Sequence, residues 1–413
     1  MLPIFEHTLA NRLRVVLQPD ETIPVVGLAV FYDVGSRNEV PGRSGFAHLF
    51  EHMMFQGSEH VGKTEHFRLI QSWGGDLNGT TGQNHTNYYE SLPSHQLGLG
   101  LWLEADRMRA LAVTPENFEN QRQTVMEERR QVVDNRAYGP AMVRLGEISF
   151  DCWAYAHPVI GSWEDLDAAQ FDEVVDFHRT WYRPDNAVLV LTGDFERKTA
   201  LDQINALFSN IPPGGDRPVP DLNEPRRVAP KTESLVDPLA ELPCVLVNHQ
   251  APDCRDPRFF TWEVIETLLF RGPASRVWRR LVIDESIAIH AGGGYEAHRG
   301  PSLFGLSAVV PRGGDIDRIV KAYHEELARL ATEPVSDEEL DKAYNQLRSA
   351  RIFGQENVLN RALGLGRSAL YYNDSSWEEA YLSRVRAVRA ADICREAATM
   401  RMDNRVELRV QTS

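Results

Sequence analysis

The apolar residues nearest the N-terminus recur at every second position, which is the spacing of a half-buried β-strand. This alternation predicts a strand over residues 13–17, after a turn at Ala10-Asn11. It predicts a second strand over residues 25–34, with Val26 and Leu28 on one face. The chain is therefore expected to open with β-structure.

Helical spacing replaces this alternation further along the chain. A loop containing glycine and proline at residues 35–42 interrupts the strand pattern, and Ser44 is a candidate N-cap for the helix that follows. Residues 64–73 are predicted to form another helix, which ends at a pair of glycines. The Thr114-Pro115 pair predicts a further helix start, since it places a hydroxyl at the N-cap and proline at the first helical position.

A polar segment rich in Thr, Asn and Gly occupies residues 76–89. Its composition suits an edge strand better than a central strand. An edge strand carries free N–H and C=O groups, which can receive an extended peptide as an additional strand. An ordinary polar hairpin accounts for the same pattern.

The chain divides near its midpoint. A long amphipathic helix over residues 163–181 and a strand over 187–192 are predicted to complete the first half. Residues 211–231 include Pro-Pro-Gly-Gly and further prolines, which is typical of a linker. The sequence thus predicts an N-terminal domain at residues 1–210 and a C-terminal domain at 232–413.

The second half repeats the order of element types without repeating the residues themselves. Strands are predicted around Leu235 and at residues 244–248, 288–291, 302–310 and 406–410, and helices at 257–269, 276–283, 337–353, 358–371 and 390–400. A capping box, Ser336 with Glu339, marks the start of the longest of these helices. Two homologous α+β halves are the economical description.

The composition is that of an ordinary globular protein, with 42% apolar and 25% charged residues. A net charge of −15 gives the chain no general electrostatic reason to bind nucleic acid or an anionic membrane. No apolar run reaches the roughly 18 residues that a membrane span needs, and no signal peptide is visible. The four cysteines form no Cys-x-x-Cys pair, which predicts reduced thiols in a cytoplasmic protein, or a periplasmic one if a leader has been removed.

Candidate chemistry is concentrated in the segment His48-Leu49-Phe50-Glu51-His52. On a helix, residues four apart lie on one face, so His48 and His52 can offer imidazole nitrogens to one metal ion. Glu51 turns towards the same face and can act as the general base of a hydrolase. The His-x-x-Glu-His pattern is the inverzincin signature, which reverses the residue order of the commoner His-Glu-x-x-His zinc motif.

Helical histidines are often surface groups, and this reading competes with the metal site. The motif lies among apolar residues, however, and burying two imidazoles and a carboxylate is costly unless they are paired or bind a metal. A two-histidine zinc site needs a third protein ligand. Glu128 and its neighbour Glu127 are candidates, although the residues taken alone favour a solvated surface carboxylate at either position.

With these residues in hand, the chain resembles the pitrilysin/insulinase/mitochondrial processing peptidase family of zinc metallopeptidases. The resemblance covers nearly the whole chain and rests on the metal motif together with residues 31–39, 75–78 with 86–89, and 181–186 with 192–194. It implies two homologous α/β-sandwich domains of the mitochondrial-processing-peptidase type, each a largely antiparallel sheet covered by helices. Only the first of them would carry a metal site.

The resemblance also implies the roles of individual residues. In the family the third zinc ligand is a Glu about 76 residues beyond the second His, which selects Glu128 and leaves Glu127 as a second choice. The implied site has one Zn²⁺ on His48, His52 and Glu128, with Glu51 as the general base. The implied substrate-binding residues lie on the polar segment and are Asn78, Gly79 and Thr80.

Two departures from the family pattern affect the expected function. Gln121 stands where the family usually has a Glu behind the metal ligands, so this position can hydrogen-bond but carries no charge. Val282 and Ile289 stand where the second domain normally supplies an Arg and a Tyr that grip the substrate. The chain is therefore expected to pair with a homologous non-catalytic subunit that supplies this clamp, the alternative being a homodimer.

The predicted function is that of a zinc-dependent endopeptidase, a metalloprotease that cleaves unstructured peptides or peptide precursors, as the catalytic subunit of a heterodimer. The alternative is a non-catalytic structural or partner subunit of the same family. Such subunits usually lack one or more members of the His-x-x-Glu-His motif, and all three are present here.

Overall fold

The computed structural model describes residues 2–413, and these residues form two compact units. Each unit is assembled from three separate stretches of chain. Unit 1 comprises the residues up to Glu128 with Pro158–Pro220 and Arg351–Glu379, and unit 2 comprises Arg129–His157, Asp221–Ala350 and Ala380–Ser413. No helix among residues 2–413 is long and apolar enough to cross a membrane.

The strands alternate with helices in both halves of the sequence. The strands are β1 Phe5–Thr8, β2 Arg14–Pro19, β3 Val25–Tyr32, β4 Asp76–Thr81, β5 Thr86–Pro93, β6 Ala187–Gly193, β7 Lys231–Asp237, β8 Cys244–Ala251, β9 His290–Glu296, β10 Ser302–Val309 and β11 Val406–Thr412. The helices are α1 Phe46–Met53, α2 Glu65–Ser72, α3 Leu97–Ala110, α4 Pro115–Arg129, α5 Gly139–Ser149, α6 Trp163–Ala168, α7 Phe171–Trp181, α8 Arg197–Phe208, α9 Phe259–Phe270, α10 Arg276–Trp278, α11 Ile316–Thr332, α12 Asp337–Glu356, α13 Val358–Tyr372, α14 Trp377–Ala387 and α15 Ala390–Ala397.

The two sheets share one topology. The sheet of unit 1 has the order β1-β2-β6-β3-β5-β4, and the sheet of unit 2 has the order β7-β11-β8-β10-β9. Within each sheet only one neighbouring pair is parallel, β2 with β6 and β7 with β11. Apart from β1, the strands of each half follow the same spatial order. The predicted α+β fold, with two largely antiparallel sheets covered by helices, is confirmed.

Each sheet is covered on one face by a helix from the other half of the sequence. Helix α13, from the second half, packs on β2, β3 and β6 through Ala362, Leu365 and Ala369. Helix α5, from the first half, packs on β8 and β11 through Leu145 and Ile148. The halves therefore exchange one helix each. The predicted domains, residues 1–210 and 232–413, are continuous in sequence, whereas each compact unit combines three stretches of chain. The division of the sequence into two homologous halves stays a prediction.

Several sequence-based expectations for single elements need correction. The helix expected over residues 163–181 is two helices, α6 and α7, because Ala169 is extended and Gln170 forms a capping box with Glu173. Helices α3, α5, α8, α11 and α14 were not anticipated. The expected capping box before α12 is present, since Ser336 Oγ accepts a hydrogen bond from the Glu339 amide at 3.2 Å.

Candidate active site

Helix α1 is held in unit 1 by its apolar face. Phe46, Leu49, Phe50 and Met53 are at most 3% exposed and belong to the main core cluster. This burial fixes the rotation of the helix about its axis, and His48, Glu51 and His52 remain partly exposed on the other side. The structure therefore places His48, Glu51 and His52 on one helix, as the sequence predicts.

The start of α1 differs from the expectation for Ser44. The N-cap is Gly45, whose φ of 93° is accessible mainly to glycine and which lies against Ile160 and Gly161 with no room for a Cβ. The Glu39 carboxylate replaces a capping hydroxyl, accepting hydrogen bonds from the backbone N–H groups of Gly45 at 2.9 Å and Ala47 at 2.7 Å. A buried anion at a helix N-terminus is favourable. Sequence reasoning missed Glu39, because it precedes the helix by several residues.

Helix α4 brings a carboxylate to the histidines of α1. Glu128, in the last turn of α4, has its Oε2 3.1 Å from His52 Nε2 and 3.8 Å from His48 Nε2. One ligand atom from each of these three residues lies within 4.8 Å of the other two. Glu127, the second choice, is exposed, so the structure brings Glu128 and not Glu127 to the histidines.

This donor set fits a zinc ion. Ligand atoms about 2.0–2.2 Å from a tetrahedral Zn²⁺ are roughly 3.3–3.6 Å apart, and the two distances from Glu128 bracket this range. Burial, together with the nearby His52, lowers the pKa of His48 to about 4, so its imidazole is neutral at physiological pH, as a ligand must be. A hydrogen bond from His52 lowers the pKa of Glu128.

Gln121 lies about two helical turns before Glu128 on α4 and is 6% exposed. Its side-chain amide donates to Asn120 Oδ1 at 2.7 Å. A role for Gln121 in orienting a metal ligand stays a prediction, because its side-chain amide donates to Asn120 and not to a metal-ligand residue.

The edge strand β4 lies directly against the candidate base. A Cβ built on Gly79 would be 2.9 Å from Glu51 Cγ and 3.3 Å from the rings of Phe55 and Tyr88. Burial raises the pKa of Glu51, and the nearby polar groups of Thr81 oppose this rise. A carboxyl group with a raised pKa, held beside three metal-ligand side chains, is suited to proton transfer. Thr81 is a contact that sequence reasoning missed.

The other two predicted substrate-binding residues, Asn78 and Thr80, are exposed on β4. The structure confirms that β4 is the edge strand of its sheet. The pairing of a peptide substrate with this edge stays a prediction.

A buried ionic cluster lies behind the aromatic rings that contact Gly79. The Arg107 guanidinium lies 4.5 Å from the centre of the Tyr88 ring and pairs with Glu104, and both side chains are at most 3% exposed. His66 Nε2 is 3.3 Å from Glu90 Oε2 in the same cluster. Although His66, Glu90 and Glu104 are close enough to share a metal, Arg107 already supplies the positive charge there. We regard this cluster as structural support for β4.

The second half has a counterpart of the base but not of the metal ligands. Helix α9 precedes β9 as α1 precedes β4, and Glu266 on α9 accepts a hydrogen bond from the Tyr295 backbone N–H at 3.2 Å. Burial raises the pKa of Glu266, as it does for Glu51. The positions three residues before and one residue after Glu266 are Glu263 and Thr267, so the histidines of the motif are missing.

The clamp positions of the second half are apolar. Val282 lies in a π-helical turn after α10 and is half-buried, and Ile289 is 51% exposed immediately before β9. Neither side chain can donate a hydrogen bond to a peptide.

Comparison with known families gives matches in both halves. A family model described as "Insulinase (Peptidase family M16)" matches residues 14–150, which include the candidate site. A second model, "Peptidase M16 inactive domain", matches residues 168–347. The two matched segments together cover most of the chain.

Similar proteins come from bacteria and from plants. Zinc protease PqqE of Helicobacter pylori is 26% identical over 397 residues, covering 94% of this chain and 88% of that protein. A probable mitochondrial-processing peptidase subunit beta of Arabidopsis thaliana is 23% identical over 402 residues, covering 94% and 75%. The crystal structure of a protease from Helicobacter pylori superimposes with a TM-score of 0.94 at 25% identity, covering 100% of both chains.

Proposed function

The chain belongs to peptidase family M16, and from this premise we propose that it is a zinc-dependent endopeptidase whose active site is His48, Glu51, His52 and Glu128. The observation that carries the proposal is the convergence of one ligand atom from each of His48, His52 and Glu128 beside the half-buried Glu51 carboxyl. The substrate class is unstructured peptides or peptide precursors.

The two histidines and Glu128 would hold the metal. Zinc, when bound, supplies a Lewis acid that polarises the scissile carbonyl group and acidifies the attacking water. Glu51 takes the proton from that water and passes it to the leaving nitrogen. The raised pKa of Glu51 suits both transfers, because the group must accept a proton and then release it.

Strand β4 would align the substrate beside this site. A peptide that pairs with the free edge as an added strand places its backbone next to Glu51, because Gly79 is in contact with that side chain. Asn78, Gly79 and Thr80 are the proposed binding residues. Alignment through backbone groups favours extended, unfolded peptides over folded proteins.

The first test is cleavage of a mixed library of unstructured peptides by the zinc-replete chain, with Glu51→Gln as the matched variant. We expect cleavage that is abolished by chelation and falls by at least about 100-fold in Glu51→Gln, while that variant keeps one zinc per chain. Cleavage that survives Glu51→Gln would contradict the assigned base.

We further propose that a homologous subunit completes the enzyme, since Val282 and Ile289 cannot act as an Arg/Tyr clamp. A chain that binds zinc but cleaves nothing alone, and becomes active with an unlike homologue carrying the Arg/Tyr pair, would support this. Full activity as a homodimer would contradict it. A chain that binds no zinc and cleaves nothing would favour the alternative, a non-catalytic structural or partner subunit.

A further inference from the structure

The direction of the backbone groups along β4 follows from the hairpin that it forms with β5. The Gly82 N–H donates to the His85 carbonyl group at 3.0 Å, so Gly82 faces across the hairpin. Residues of an antiparallel strand alternate between facing the partner strand and facing away from it. In the observed register, the N–H and C=O groups of Leu77, Gly79 and Thr81 therefore face the free edge of the sheet.

Two of these edge N–H groups, those of Leu77 and Gly79, already have acceptors within unit 1. The Leu77 N–H donates to Asp76 Oδ1 at 3.0 Å, and the Gly79 N–H donates to Asn78 Oδ1 at 2.9 Å. Asp76 and Asn78 are exposed, and each caps the amide of the residue that follows it.

We propose that Asp76 and Asn78 are removable caps on the free edge of β4, and that an extended peptide binds by displacing their side-chain oxygens from the Leu77 and Gly79 amides. This inference rests on the proposed function, because it assumes that β4 receives the substrate. The peptide's carbonyl oxygens take the places of Asp76 Oδ1 and Asn78 Oδ1, so the number of hydrogen bonds to the edge is conserved.

Two physical consequences follow from such caps. In the free protein they blunt an open strand edge, which would otherwise pair with other chains. During substrate binding they compete with the peptide, so each cap weakens binding by the free energy of one exposed hydrogen bond. Asp76 is the stronger competitor, since a carboxylate acceptor binds an N–H more tightly than an amide oxygen does.

The test uses the full zinc-loaded chain with Asp76→Ala, and with Asp76→Asn as the matched control that keeps an acceptor oxygen. Amide hydrogen exchange at Leu77 in the free protein reports the cap itself. Peptide affinity is measured in the Glu51→Gln background, where no cleavage interferes, and KM and kcat are measured with the base intact.

We expect Asp76→Ala to lose exchange protection at Leu77 and to bind an unstructured peptide about fivefold more tightly, the worth of one hydrogen bond. Asp76→Asn keeps an acceptor oxygen but loses the charge, so its peptide affinity should fall between that of the parent and that of Asp76→Ala. Unchanged exchange in Asp76→Ala, or faster exchange with equal or weaker peptide binding, would overturn the proposal alone. Absence of peptide binding in every variant would overturn it together with the proposed function.

Discussion

Single residues decide whether the candidate metal site can form. Glu128 and Glu127 are adjacent on α4, yet only Glu128 reaches the histidines, with Oε2 3.1 Å from His52 Nε2. Sequence spacing within the family selects the same residue, whereas the residues taken alone leave both open. The pair therefore offers an internal control for the metal assignment.

Glu128→Gln should weaken zinc binding by more than about 100-fold, because an amide supplies no negative charge to the ion. Glu127→Gln should keep one zinc per chain, since Glu127 is exposed on the same turn. Zinc content after dialysis against a graded chelator gives the measurement. Equal zinc retention by the two variants would show that Glu128 is not the third ligand.

Gly79 is a second position where one atom matters. Gly79→Ala would add a methyl group 2.9 Å from Glu51 Cγ, so either β4 or the Glu51 side chain must move. A displacement of about 1 Å at a reacting group costs roughly 100-fold in kcat. Gly82→Ala in the same hairpin is the control, because a Cβ there meets no atom within 4 Å. If both variants kept the parent's kcat, the close contact between β4 and Glu51 would be unimportant for catalysis.

The positions of whole helices depend on buried polar contacts that the sequence pattern does not reveal. Asp106 on α3 accepts hydrogen bonds from Ser58 Oγ at 2.6 Å and from the His60 N–H at 3.0 Å. Burial alone would raise its pKa, but these bonds and Arg109 outweigh burial and lower the pKa to about 2. Asp106 thereby ties α3 to the segment between α1 and α2.

A lowered pKa in the folded state stabilises the protein above the unfolded value of 3.8, and this stability is lost as the pH falls towards 2. After allowance for solvent screening, Asp106→Asn should reduce the free energy of unfolding by about 1 kcal/mol at pH 7. The difference from the parent should shrink between pH 5 and about pH 3. Denaturant unfolding across this range is the measurement.

Asp167→Asn serves as the control for that experiment, since the Asp167 side chain is 78% exposed. It should follow the parent at every pH. A constant deficit for Asp106→Asn at all pH values would mean that the ionised carboxylate is not what anchors α3.

Elements with clean periodicity or strong caps were predictable, and those with mixed faces were not. Strand β3 and the start of α4 at Pro115 follow from alternation and from a proline at the first helical position. Helix α3 was missed because Glu104, Asp106 and Arg107 are buried along with its leucines, which obscures the helical pattern. The break between α6 and α7 depends on the backbone of Ala169, a residue that usually continues a helix.

At the scale of the whole molecule, the repeated topology was predictable from element order, but the exchange of helices was not. The apolar positions of α13, among them Ala362, Leu365 and Ala369, indicate a buried face without naming the sheet that buries it. Their partners, such as Phe31 and Val188, lie in the other half of the sequence. Only long-range packing decides that pairing.

The exchange predicts how the chain responds to being cut. Residues 1–231 expressed alone should fail to fold cooperatively, because the face of the first sheet that includes Phe31 and Val188 would lose α13. A full-length chain cleaved at a protease site inserted beside Val219, which is 90% exposed, should keep both pieces associated. Circular dichroism and size-exclusion chromatography report these outcomes. A stable, monomeric fragment 1–231 would show that α13 is dispensable.

The late position of α13 also bears on how the protein is made. On a ribosome the chain emerges from its N-terminus, and α13 ends at Tyr372 of 413 residues. The last strand of the first sheet, β6, is complete at Gly193, but α13 begins only at Val358, so the nascent chain carries an uncovered apolar sheet face between these two points of synthesis. We therefore expect the chain to depend on chaperones during synthesis, and prematurely terminated chains to aggregate.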